Sequence, residues 1–279
     1  MCGIFKLNLK LFHVRKNFNF TFKHKLMKTP TNIDEVLQRL DDIIAWSKVT
    51  KNPAGYFAST YKCMTAAVAH GIKKNKFEDG PRMERLDVAF ASRYLEAFEN
   101  YRHGRKCTNA WFTAFEAAKN KDLLIMQHIL LGINAHINLD LGVSAASVMP
   151  YRRITPLKND FNTINNVIAA ISQNVQDSLN KICYPVSIID ELSNGQDNVM
   201  LDFAISKARD TSWASAFILS NSIQIIRPSL IRMIDNAATL VARNIIVSEK
   251  TPENILKKLK SCESSDVHKN IEILSATIV

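Results

Sequence analysis

Between Leu123 and Tyr151 the chain reads LLIMQHILLGINAHINLDLGVSAASVMPY, a largely apolar run whose only formally charged side chain is Asp140. Its main polar exceptions, Gln127, His128, Asn134, His136, Asn138 and Asp140, fall within fourteen residues. A helix apolar all round is either the buried centre of a bundle or a membrane span. Each of those polar groups would cost about 2 kcal/mol or more in a lone lipid-facing helix, which argues against a span. The pattern therefore predicts a central helix buried in protein, with its polar side chains satisfied by neighbours.

Around it, apolar positions recur at three and four. Ile33, Val36, Leu37, Leu40, Ile43 and Ile44 predict a helix capped by Thr31 or Asn32. A second helix runs from Tyr56 to about Ile72, with Phe57, Tyr61, Met64 and Val68 on one side. Asp79 and Pro81 open a third, Arg82 to Tyr101. At 100° per residue its Leu86, Phe90, Tyr94 and Phe98 belong to one apolar arc. Asp87 falls in the middle of that arc and Glu84 near its side, while Arg85, Arg93, Glu96 and Glu99 face the other way. Thr108 is placed to cap a short helix containing Trp111 and Phe115, and Asp122 to cap the central one. Further helices start near Asp160, Asp197, Pro228 and Pro252, and residues 183–198 form the longest connection, a candidate subdomain boundary. With no strand pattern, phosphate loop or repeat, the expectation is an all-α, multi-helix bundle of roughly nine helices around a buried central helix. Residues 27–279 read as one helical domain.

Charge changes the picture only at the start. The net charge of +10 invites an anionic partner, yet six of those charges lie in residues 1–26, which hold no acidic residue. The body carries no basic stripe interleaved with aromatics, so nucleic acid is not the expected partner. The leader is too broken by charge for a secretory signal and too basic to span a membrane, and it is expected to lie outside the fold. Five scattered cysteines without a C-x-x-C spacing indicate neither a disulfide framework nor a thiolate zinc site, and a cytoplasmic setting is expected.

Polar side chains on the central helix divide into two seams at 100° per residue. Gln127, Asn134 and Asn138 cluster on one side, suited to hydrogen bonds between helices. His128, His136 and Asp140 lie on another, with His136 and Asp140 one turn apart. Helix bundles build metal sites from facing helices, so Glu84, Asp87, His136 and Asp140 are candidate ligands for zinc, manganese or iron. His128 would then act as general base or supporting partner, and hydrolysis edges oxidation as the reaction. The spacing matches neither Glu-x-x-His nor His-Glu-x-x-His. A metal-free network pairs His136 with Asp140, and Asp87 or Glu84 with an arginine such as Arg152. Two non-enzymatic readings stand beside these: a pocket for a small or lipid-like ligand held by Phe90, Tyr94 and Trp111, and a scaffold whose polar core fixes helix register.

Two blocks, DGPRMERLDVAFASRYL from Asp79 and QHILLGINAHINLDLG from Gln127, resemble a family of bacterial proteins known only as a domain of unknown function. The resemblance runs from about Asn32 to Leu179, and the leader has no counterpart in it. It implies a helical domain whose characteristic residues include Glu84, Asp87, His128, Asn134, His136, Asn138 and Asp140. It implies no reaction.

Overall fold

The computed structural model describes residues 28–149, 153–182, 197–247 and 253–276. The leader, Arg152 and most of the 183–198 connection fall outside the described residues. Those described are all-α, with eleven α-helical segments and no strand. In chain order the helices are α1 (Ile33–Thr50), α2 (Ala54–Lys73), α3 (Gly80–Arg102), α4 (Asn109–Ala117), the central α5 (Ile125–Val148), α6 (Lys158–Ile182), α7 (Asp197–Asn221), α8 (Arg227–Val247), α9 (Glu253–Cys262) and α10 (Val267–Ser275). The tally of eleven counts α5 as two segments, because it widens into a π-helix over Ala135–Leu141.

Local capping starts some of these helices. Asn32 accepts from the Glu35 amide at 2.8 Å, and Asp79 from the Arg82 amide at 2.8 Å with Pro81 in the first turn. Two expected caps differ. Thr108 makes no side-chain cap; instead Asp235 of α8 accepts from the Asn109 and Ala110 amides, both at 2.9 Å. Asp122 is also displaced: Leu124 N–H donates to Gln127 Oε1 at 2.9 Å and Ile125 N–H to Glu263 Oε1 at 2.8 Å. Asp160, fully buried on α6, likewise receives the Glu78 and Asp79 amides just before α3 and the Arg82 guanidinium in its first turn. Carboxylates distant in sequence thus satisfy the first amides of α4 and α5 and the amides of the turn that leads into α3.

Helix α5 packs against α2, α3, α4, α7 and α8. Among the described residues it is the one helix long and apolar enough to cross a bilayer, and 83% of its most apolar window is buried inside the protein. Glycines let its neighbours close in. A Cβ at Gly132 would stand 2.3 Å from the Phe57 ring of α2, and one at Gly142 would stand 2.9 Å from the Ser212 carbonyl of α7.

Candidate functional site

The π-turn at Ala135–Leu141 contains His136, Asn138 and Asp140. A π-helix widens the turn, so a 100° step counted from His128 does not carry across it. His128 borders a small pocket with Tyr94, Trp111 and Gly132, whereas His136 lines a separate, larger one. Phe57 borders both. The single ionisable seam expected on this helix is therefore two environments. Burial and the charge of Lys260 push the His128 imidazole down to about 4, which leaves it neutral.

Asp140 is spent on structure. Its carboxylate, 1% exposed, accepts from Trp111 Nε1 at 2.7 Å and from Arg93 Nε at 2.8 Å, joining α5 to α4 and α3. Arg93, expected on the solvent face, instead turns its long side chain inward and brings its head to the carboxylate. His136 Nδ1 lies 3.5 Å from Asp140 Oδ2 without the alignment of a hydrogen bond. Burial holds the His136 pKa below the ordinary histidine value despite the pull of Asp140, so the expected protonated His136–Asp140 pair is replaced by Asp140 with Arg93 and Trp111. The imidazole is positioned by packing: Phe90 stacks on it at 3.5 Å and 10°, and Tyr61 meets it edge-on at 4.3 Å.

Asp87 shares the large pocket with His136. The pocket encloses about 810 Å³ including its open mouth, and its walls are mainly apolar: Met64, Val68, Leu86, Ile133, Ile137 and Leu141. Into it project Asp87, Tyr61 and Thr65; Asp87 Oδ2 and His136 Nε2 have no hydrogen-bond partner among the described residues, while the Tyr61 hydroxyl interacts with that of Thr65 and His136 Nδ1 faces Asp140. Burial, with Glu84 one turn away, pushes the Asp87 carboxyl up to about 7. Burial and the nearby Asp87 charge raise Tyr61 as well. Arg209 of α7 also lines the pocket. Its guanidinium is held by Asn165 and the Phe161 carbonyl and lies 4.6 Å over the Phe161 ring.

The remaining expected residues go elsewhere. Glu84 accepts from the Ile33 amide at the start of α1 at 3.3 Å. Gln127 donates to the Ile245 carbonyl and Asn134 to the Ala238 carbonyl, both at 2.8 Å, fastening α5 to α8, while Asn138 donates to Asn134 at 2.9 Å. Among the described residues no three His, Cys, Asp or Glu side chains group closely enough to hold a metal ion. The set Glu84, Asp87, His136 and Asp140 is thus not assembled as ligands: Glu84 serves the α1 terminus and Asp140 is engaged by Arg93 and Trp111. Of the aromatics expected to hold a ligand, Phe90 lines the large pocket, while Tyr94 and Trp111 border the small one. Sequence reasoning missed Tyr61, taken as one more member of an apolar stripe, and Arg209, for which no local signal exists.

Fold and site together define an all-helical domain whose central helix lends a buried imidazole to an apolar pocket that also holds a carboxyl group. The chain belongs to a family of unknown function, DUF5995, whose profile matches residues 33–248. No curated protein and no solved structure matches it.

Proposed function

We propose that the protein binds a small amphipathic molecule in the pocket between α2, α3 and α5. One observation carries this reading: Asp87 Oδ2 and His136 Nε2, buried and without hydrogen-bond partners among the described residues, belong to the same mainly apolar pocket as the paired hydroxyls of Tyr61 and Thr65. A buried polar group left unpaired costs about 1–3 kcal/mol, and a ligand's polar end would offset such costs.

A neutral apolar fluorophore such as N-phenylnaphthylamine tests the reading. It binds saturably at one site per chain, and Ile137→Trp, which fills the pocket, abolishes binding while leaving the helical circular dichroism intact. Saturable binding that survives Ile137→Trp, or no binding at all, refutes it.

The same site supports a second reading, proton transfer on the bound molecule. A carboxyl titrating near 7 beside a neutral imidazole suits acid–base work at neutral pH. Metal-dependent hydrolysis would need further donors beside Asp87 and His136, and Glu84 and Asp140 are already committed elsewhere.

A further inference from the structure

The large pocket is chemically lopsided. Its acidic group, Asp87, is 6% exposed and has no cation within salt-bridge distance among the described residues, whereas its basic group, Arg209, donates to Asn165 and the Phe161 carbonyl of α6. Rings of Phe57, Tyr61 and Phe90 line the same space. A buried carboxylate is stabilised by an opposite charge, and aromatic rings attract organic cations through their negative faces.

Resting on the small-molecule reading above, we propose that the preferred ligand is a protonated amine carried on an apolar body, its ammonium against Asp87 and among the rings of Tyr61 and Phe90. The groups facing Asp87 agree. Glu84 on its own helix adds negative charge, Tyr61 on α2 and His136 on α5 are neutral, and Arg209 on α7 does not contribute to the Asp87 shift. The rise of Asp87 to about 7 comes from burial and Glu84, and an ammonium would supply the missing counter-charge. A carboxylate ligand would instead meet Asp87 and Glu84 with like charge. To bind it, Arg209 would have to leave Asn165 and the Phe161 carbonyl.

Calorimetry at pH 8 on the full chain with octylamine, octanol and octanoate separates the outcomes, since the three share one apolar body. The expected result is octylamine at least about tenfold tighter than octanol, octanoate weakest, and Asp87→Asn bringing octylamine down to the octanol value. Octanol or octanoate matching octylamine in the wild-type protein overturns the amine proposal while leaving the pocket reading in place. Binding by none of the three overturns both. Because the wild-type series alone decides, a misfolded Asp87→Asn does not rescue the proposal. If that variant folds and still binds octylamine like wild type, Asp87 is not the counter-charge and the proposal fails.

Discussion

Replacing Asp87 by Asn should change how stability depends on pH, with a sign fixed by burial. The folded carboxyl sits near 7 against 3.8 when unfolded. Between those values the folded state holds a proton that the unfolded chain has released. Stability therefore falls as pH rises from about 4 to about 7, by on the order of 4 kcal/mol for a shift of this size. His128 works in the opposite direction. Its folded imidazole titrates near 4 against 6.5 unfolded, so the unfolded chain takes up a proton first as pH falls, and stability rises with pH across 4 to 6.5. His136, also depressed by burial, adds to the rise. In the wild type these contributions oppose one another and flatten the profile. Asn at position 87 keeps the shape and removes only the falling part. Urea unfolding from pH 4.5 to 8 should give near-equal stabilities at pH 4.5 and a variant several kcal/mol more stable than wild type at pH 8. Parallel profiles for the two proteins would show that Asp87 does not hold a proton in the folded state, and the reasoning would fail.

Three further outcomes follow from the packing. Asp140→Ala should cost about 3–4 kcal/mol, because Trp111 Nε1 is orphaned in the core and Arg93, at 29% exposure, recovers only part of its loss from water; Asp140→Asn, which keeps an acceptor, should cost about 1–2 kcal/mol. Equal urea midpoints for the two variants would contradict this. Asp235→Ala should cost about 2 kcal/mol and speed hydrogen exchange at the Asn109 and Ala110 amides, which lose their acceptor; unchanged exchange there would show that α4 is capped otherwise. Gly132→Ala should destabilise by about 1–3 kcal/mol, since its methyl would have to displace the Phe57 ring, and a melting temperature at or above wild type would mean that α2 yields freely.

How far the sequence revealed the molecule depends on the range of the interactions involved. Asn32 and Asp79 were legible as caps because each serves an amide three residues on. Asp235, Glu263 and Asp160 were not, because each serves amides 81 to 138 residues away, and no local spacing encodes that distance. Asp87 stood out as an acid centred on an apolar arc, and its burial follows from that position. Arg93 was misplaced because its face was judged from the Cα direction, although its side chain is long enough to return to Asp140. The π-turn was invisible to a fixed angular step, and His128, two turns before His136, lines a different pocket.

The π-turn also explains why the polar side chains of α5 do different work. Such turns are rare, and they concentrate at functional sites. Here the widened segment is clamped on both sides. Asn134 at its entrance is fastened to α8, and Asp140 near its exit is fastened to α3 and α4. His136 lies between these anchors, held mainly by Phe90 and Tyr61 with Nδ1 toward Asp140, so its ring is fixed while Nε2 stays unpartnered among the described residues. Rigid supports around a polar group that remains unpartnered are what a preorganised binding site requires. A residue that served register alone would be expected to close its hydrogen bonds as Gln127 and Asn134 do. That contrast within a single helix separates the residues that build α5 into the bundle from the one that faces the pocket.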